Sequence, residues 1–133
     1  MVGVKQMPHA PIALLVCCLC EMSVSAHHST LAFDGTQPTV ISGIVATFNW
    51  SYPHTSIVLD VSDSGGNVTR WTVESESRQL LSRLGWTKSS IKPGDRIRVT
   101  GARARNGASE IRCRTVDLPD GGSLSCFPTP EGP

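Results

Sequence analysis

The sequence lacks an excess of charge of either sign. Lys and Arg number 12, Asp and Glu number 11, and the formal net charge is +1. Such a balance gives no bulk electrostatic reason to expect a nucleic acid or an anionic membrane as partner. The sequence also contains no Ser-His-Asp spacing, phosphate-binding loop or nucleophile motif. We therefore expect a protein that is not an enzyme.

No hydrophobic run in the sequence is long enough to cross a membrane, which takes about 20 residues. The apolar run over residues 12–20 follows Lys5 and precedes Val24-Ser25-Ala26, which places small or medium side chains at the positions a signal peptidase prefers. We therefore predict a secretory signal peptide over residues 1–26. Its removal would leave no membrane anchor, and the expected location is outside the cytoplasm, in the bacterial periplasm.

Cysteine is scarce once this signal is set aside. Three of the five cysteines lie within it, and Cys113 and Cys126 remain. An even pair in an oxidising compartment predicts a disulfide. If Pro119 and Asp120 form a two-residue hairpin loop, the two cysteines face each other, at the separation that a disulfide needs. A three-residue loop would instead place Cys113 opposite Phe127.

Runs rich in Val, Ile, Thr and Trp, separated by turn residues, predict strands. They cover residues 39–50, 56–62, 68–74, 96–105 and 109–118, with a short sixth segment at 123–127. Leucines at 80, 81 and 84, between Ser77 and Gly85, predict one short amphipathic helix. The order βββαββ plus a short C-terminal strand predicts an all-β protein with one helix, a small OB-like β-barrel.

This pattern also predicts the domain organisation and the core. We expect a polar lead-in over residues 27–38, one barrel domain over 39–127 and a frayed tail over 128–133. Gly43 interrupts the first strand, as a bulge or bend requires. Strand and helix periodicity predict that seven apolar side chains are buried: Val45, Ile57, Leu59, Val73, Leu81, Ile97 and Val99.

Histidines suggest a metal site. Cleavage after residue 26 would make His27 the N-terminal residue, whose amine and imidazole together chelate copper. His28 and His54 offer further imidazoles, and Glu74 or Glu76 offers a carboxylate. Residues 28–38 would form a tether of 11 residues, long enough at about 3.3 Å each to span the domain. The simpler interpretation is an unstructured terminus and a histidine that caps a turn.

Arginines suggest an alternative, an anionic ligand such as an oligonucleotide or oligosaccharide. They alternate along two adjoining strands, so several are expected on one face, although no aromatic residue interleaves with them for stacking. The candidate residues are Arg96, Arg98, Arg103, Arg105, Arg112 and Arg114. The competing interpretation is a solvated outer face on a structural or protein-interaction domain.

The tryptophans are expected chiefly in the core, because such side chains are usually highly buried. Trp50 is the exception, since it stands beside Tyr52 at the edge of a predicted loop. These two residues join the alternative ligand surface as candidates.

Several short motifs, spread over residues 27–124, resemble a family of small secreted bacterial proteins of unknown function. They are His27-His28-Ser29, Phe33-Asp34, Gly43-x-Val45, Trp50-x-x-Pro53-His54, Trp71-x-x-Glu74, Gly85-Trp86, Lys92-Pro93-Gly94-Asp95 and Val99-x-Gly101. The resemblance implies an OB-like secreted domain and carries no established activity. Tyr52 stands where the family usually has Asn, so a hydrogen bond from that Asn is not expected here.

Overall fold

The computed structural model describes Gly3 and residues 32–128. The predicted signal peptide apart from Gly3, both histidines of the expected N-terminus and the last five residues lie outside the described residues. The elements are β1 (Phe33–Asn49), β2 (Ser56–Ser62), β3 (Val68–Glu74), α1 (Arg78–Arg83), β4 (Arg96–Ala104), β5 (Glu110–Asp117) and β6 (Ser123–Ser125). The predicted all-β class and the order βββαββ with a short C-terminal strand are confirmed. Within the described part of the chain, no helix is long and apolar enough to cross a membrane.

One sheet holds all six strands, in the order β3-β2-β1-β4-β5-β6. A parallel pairing between β3 and β5, from Thr72 opposite Glu110 to Glu74 opposite Arg112, joins the two ends of the five-stranded part. The predicted barrel therefore takes the form of a closed ring of five strands. Closure covers edges that would otherwise offer unpaired backbone groups to another chain.

The core lies inside this ring. All seven side chains predicted to be buried are buried, with exposures of 2% or less. Trp71 and Trp86 join them, as expected of the tryptophans. The Trp86 indole Nε1–H donates to Ser125 O at 2.8 Å, which satisfies its polar atom and ties β6 to the segment after α1.

β1 begins at Phe33, six residues before the predicted start at Thr39, so the predicted polar lead-in is partly strand. Phe33 pairs with Ala104 of β4, and a register shift between Asp34 and Thr39 leaves residues 35–38 without partners in the pairing with β4. Phe33 is buried in a second, small apolar cluster with Ala102 and Ala104. Pairing with β4 decides this start, because the local sequence has no strand pattern.

The bulge of β1 lies between Val45 and Thr47 rather than at Gly43. Gly43 serves a different purpose, since a Cβ atom placed there would collide with the carbonyl oxygen of Asp60 on β2. The missing side chain lets the two strands approach closely.

α1 has the predicted ends. Ser77 is its N-cap and its hydroxyl accepts a hydrogen bond from Leu80 N at 3.4 Å. Gly85 follows with a φ of 91°, the left-handed conformation that stops a helix at low cost. Leu81 is buried and fixes the helix against the core.

The Cys113–Cys126 disulfide is confirmed, with a Cα–Cα distance of 5.8 Å. Of the two hairpin loops that the sequence allowed, the structure has the one of three residues, because Leu118 N donates to Gly122 O at 2.8 Å. Paired residues run outward only as far as Thr115 opposite Ser125. β5 is irregular just beyond, where Thr100 and Gly101 of β4 pair with Thr115 and Cys113. The regular pairing of β5 with β6, which would place Cys113 opposite Phe127, therefore ends before it reaches the two cysteines.

Candidate functional site

A cavity of about 330 Å³ lies on the outer face of β2 and β3, beside the junction that closes the ring. The alternation of the strands explains its lining: Ile57 and Val73 point into the core, so their neighbours point outward. Its lining residues are Ala32, Phe33, His54, Ser56, Thr72, Glu74 and Glu110.

His54 belongs to the loop between β1 and β2, and backbone hydrogen bonds hold that loop in place. Thr55 N donates to Glu76 O at 3.1 Å, and Ser75 N donates to Thr55 O at 3.0 Å. These bonds join the loop to the segment that follows β3. His54 is consequently held beside the last residue of that strand, Glu74.

The His54 ring has two acceptors near one nitrogen. Its Nδ1 lies 3.3 Å from Ser75 O and 3.9 Å from Glu74 Oε1. The side chains of His54 and Glu74 are 32% and 20% exposed, so both are accessible from the cavity. A neutral imidazole that donates Nδ1–H to this carbonyl carries its lone pair on Nε2, the arrangement in which histidine binds metals.

The start of β1 reaches the same cavity. Ala32 lines it, and Arg105 N donates to Ala32 O at 2.9 Å, which anchors the chain there. His27 is five residues before Ala32 in the sequence, a reach of about 16 Å for an extended chain. Across residues 32–128, no group of three or more His, Cys, Asp and Glu side chains is arranged to hold a metal. A metal at His54 therefore needs donors from residues before Ala32.

Glu74 and Glu76 are two positions apart in the sequence, but their side chains have different surroundings. β3 ends at Glu74, as expected of a strand that precedes a helix. Glu76 Oε1 forms an ion pair with Arg112 Nη2 at 2.7 Å. The Arg112 guanidinium also lies over the Phe127 ring at 5.2 Å, and its buried Nη1 has no hydrogen-bond partner among the described residues. Of the two carboxylates, Glu74 is the one that faces His54.

The six candidate arginines lie in three different places in the structure. Arg96 and Arg98 are exposed on β4, on the opposite side from buried Ile97 and Val99. The other four line two further cavities.

One of these cavities, of about 350 Å³, is lined by Arg103, Arg105, Asp34, Gln37, Thr39 and Ala104. Arg103 lies over the Trp71 ring at 5.2 Å, and Arg105 Nη2 lies 3.6 Å from Asp34 Oδ1. Hydrogen bonds from Thr36, its hydroxyl first, and the charge of Arg105 hold the pKa of Asp34 below its ordinary value. An ionised Asp34 offsets part of the positive charge of this cavity.

The third cavity, of about 150 Å³, is lined by Phe33, Gly35, Ala102, Arg112, Arg114 and Phe127. Arg114 donates from Nη2 to Gly35 O at 2.9 Å. Both arginines thus have partners within the protein, which leaves fewer donors for an anion.

The two aromatic candidates differ in exposure. Trp50 is half-buried and contacts Phe48, with ring centroids 5.7 Å apart. Tyr52 is 67% exposed in the β1–β2 loop. Neither residue lines the cavity that contains His54.

Sequence reasoning missed Ser56, Thr72 and Glu110 as lining residues of the His54 cavity. The alternation within β2 and β3 indicates that Ser56 and Thr72 point outward together. Glu110 reaches the cavity only through the parallel pairing of β3 with β5, and no local pattern indicates that pairing.

Comparison with known proteins places the chain in a family without naming an activity. No curated protein and no solved structure matches it. One family model matches residues 13–112. His54, Glu74 and Glu110 lie inside this match, whereas both bridged cysteines lie beyond it. The match spans well over half of the chain, and the protein therefore belongs to this family, described as a family of unknown function (DUF6152).

Proposed function

We propose that this protein is a secreted, periplasmic binding domain without catalytic activity, and that it holds a copper ion between its processed N-terminus and His54. One observation carries the proposal: Ala32, through which the N-terminal segment enters β1, lines the same cavity as His54. The metal would bind where the closed ring already brings two distant parts of the chain together.

Nitrogen donors make copper the first metal to test. Removal of residues 1–26 would expose the amine of His27, which with its own imidazole forms a chelate, and His54 Nε2 would add a further nitrogen. His28 stands next in sequence as another imidazole donor. Cu(II) ranks above the other divalent first-row ions in affinity for such donors, and imidazole is a common copper ligand.

Secretion is part of the proposal, because the amine exists only after cleavage of the signal. The disulfide between Cys113 and Cys126 supports it, since such bonds form and persist in oxidising compartments. Intact mass of the exported protein tests this directly. A mass that corresponds to a first residue other than His27 would contradict the proposed chelate.

Titration calorimetry of residues 27–133 with Cu(II) tests the site. We expect His54→Ala to weaken Cu(II) binding at least about tenfold. Loss of a residue that only supports the ligands of a metal costs about 10- to 100-fold in affinity, and loss of a ligand should cost no less. One extra alanine before His27 should weaken it similarly, because it moves the amine away from the imidazole. The matched control is Gln79→Ala, which removes an exposed side chain on α1 and should leave affinity unchanged. Equal affinity in wild type and His54→Ala would exclude His54 from the site.

An anionic ligand is the second candidate, and the cavity that Arg103 and Arg105 line supports it. Salt separates the two candidates. Binding of phosphate or an oligonucleotide should weaken steeply as salt rises, because association releases counterions. Copper chelation should respond little to salt and should fail on acidification, because protons compete for imidazole nitrogens. Saturable, salt-sensitive binding of an oligonucleotide with no Cu(II) binding would favour the arginines.

A further inference from the structure

We infer that the cavity lined by Arg103 and Arg105 binds an acidic sugar, and that it recognises both the carboxylate and the hydroxyl groups of a uronic acid unit. The inference rests on the second candidate function, the binding of an anion, and names the chemical class of that anion. Three features of the described residues carry it: an opening between β1 and β4, the charge of the lining, and the hydrogen-bonding groups of the lining.

The cavity lies where β1 separates from β4. Asp34 and Thr39, the partners of β4 on either side of the opening, are five positions apart on β1, whereas the residues that they pair with are two positions apart on β4. The lining of the cavity comes from these two segments, with residues between 34 and 39 on one side and residues 103–105 on the other. Its volume of about 350 Å³ is within the range of small-ligand sites, about 300–1,000 Å³.

Contacts within the protein hold this opening without using Arg103. Thr36 donates from its backbone N and from its hydroxyl to Asp34 Oδ1, at 3.0 and 2.6 Å. Gly35 O accepts a hydrogen bond from Arg114 Nη2 at 2.9 Å. A segment that is held before the ligand arrives loses less conformational entropy on binding.

The charges of the lining favour a ligand with a single negative charge. The Arg103 guanidinium lies over the Trp71 ring and forms no ion pair with a carboxylate of the described residues. Arg105 lies 3.6 Å from Asp34, and the five N–H donors of its guanidinium allow a second carboxylate to bind. Two arginines and an ionised Asp34 leave one positive charge in excess, which a carboxylate neutralises. A phosphate monoester carries about −1.5 to −2 charges, so Asp34 repels it more strongly.

The uncharged groups of the lining suit the hydroxyl groups of a sugar. The Gln37 amide and the Thr39 hydroxyl each offer a donor and an acceptor, and neither side chain makes a hydrogen bond to another described residue. Both hydrogen bonds from Thr36 to Asp34 end at Oδ1, so Oδ2 can accept from a hydroxyl of the ligand. A uronic acid carries a carboxylate for the guanidinium groups and ring hydroxyls for these three residues.

Nucleobases match this cavity less well. Proteins that bind single-stranded nucleic acid use aromatic side chains on which the bases stack. None of the described residues that line this cavity is aromatic. The nearby Trp71 ring is covered by the Arg103 guanidinium, 5.2 Å from the ring centroid.

Titrations followed by nuclear magnetic resonance, at constant ionic strength, test this with ligands that differ in one group. We expect D-glucuronate to bind more tightly than D-glucose, which lacks the carboxylate, than acetate, which lacks the hydroxyls, and than inorganic phosphate. Arg103→Gln should weaken glucuronate binding at least about tenfold, the lower end of the loss for hydrogen bonds to a charged group. Arg103→Lys keeps the charge but not the two-pronged geometry, so it should recover only part of the affinity. The matched control is Arg98→Gln, which removes an exposed arginine of β4 that does not line this cavity and should leave the affinity unchanged.

Asp34→Asn supplies a readout that a merely structural role would not change. Asparagine keeps an oxygen that can accept from Thr36 but removes the negative charge, so the preference for glucuronate over phosphate should fall about fivefold, the effect of one unit charge about 4 Å away in water. The urea midpoints of Asp34→Asn and Arg103→Gln should stay close to that of wild type.

The outcomes separate this inference from the anionic function on which it rests. Phosphate or an oligothymidylate that binds at least as tightly as glucuronate would overturn the inference and leave the binding of an anion standing. Equal glucuronate affinities in wild type and Arg103→Gln, or an unchanged preference in Asp34→Asn, would also overturn the inference. Failure of the wild type to bind any of these anions would overturn both.

Discussion

Replacing both bridged cysteines with alanine should destabilise this domain by about 3 kcal/mol. The bond joins positions 13 residues apart, and closing a loop of that length in the unfolded chain removes about 3 kcal/mol of entropy at 25 °C. Both cysteines are fully buried members of the main core. The double substitution Cys113→Ala/Cys126→Ala therefore also removes packed sulfur atoms, and this loss adds to the effect of the missing cross-link.

Urea denaturation separates these two contributions. Wild type under reducing conditions loses the cross-link and keeps both sulfur atoms, whereas the alanine variant loses both. With a urea dependence of about 1–2 kcal/mol per M for a small domain, the loss of the cross-link corresponds to a midpoint shift of about 2 M. The alanine variant should unfold at a urea concentration equal to or below that of reduced wild type.

The reasoning is refuted if reduced wild type and the alanine variant both lie within about 1 kcal/mol of the oxidised protein, well below the entropic value. The pairing of β5 with β6, and the hydrogen bond from Trp86 to Ser125, would then hold the C-terminal hairpin closed without the bond. The near-ultraviolet circular dichroism that Trp86→Phe removes from the spectrum reports, when it is compared before and after reduction, whether that contact survives.

Three further predictions concern single residues. Gly43→Ala should destabilise the fold by about 1–3 kcal/mol in thermal denaturation, because its Cβ atom would meet the carbonyl oxygen of Asp60. An unchanged melting temperature would contradict the close approach of β1 to β2 at this position. Trp86→Phe should cost about 1–3 kcal/mol in urea denaturation, because it leaves a β6 carbonyl without its donor, and a smaller loss would show that water replaces the indole. Hydrogen bonds from Asn67, its side chain first, hold the pKa of Asp63 below its ordinary value. The stability that these bonds supply is present above about pH 4 and is lost as the pH falls through the lower folded pKa. Asp63→Asn should therefore lose less stability than wild type between about pH 5 and pH 2, and parallel losses in urea midpoints would contradict this.

Local patterns predicted most of the sheet. β2 and β3 have the predicted bounds to the residue, because alternating apolar side chains end there at turns rich in Gly, Asn and Asp. α1 lies between the predicted cap and the predicted stop, since capping depends on residues within one turn. These features were readable because neighbouring residues alone determine them.

Features that depend on a partner strand were not readable. Phe33 enters β1 because Ala104 pairs with it across the sheet. The three-residue hairpin loop before β6 follows from the pairing of Leu118 with Gly122, and turn composition alone allowed either loop length. The disulfide was nevertheless predicted correctly, because compartment and an even cysteine count require only that the two residues come close, whatever the exact register.

In the candidate site, too, the residue types were predicted from the sequence, and the contacts that depend on strand pairing were not. The contact that was not predicted bears on the copper hypothesis. Sequence supplied the donor types but not the meeting of His54 with the start of β1, which arises when the ring closes. Anchoring at Ala32 shortens the tether behind His27 from the expected residues 28–38 to residues 28–31. For a flexible chain, closing a loop of about 4 residues instead of about 11 costs about 0.9 kcal/mol less entropy. That difference corresponds to a four- to fivefold gain in the local concentration of the N-terminal donors at His54, so the early start of β1 would favour the proposed copper site.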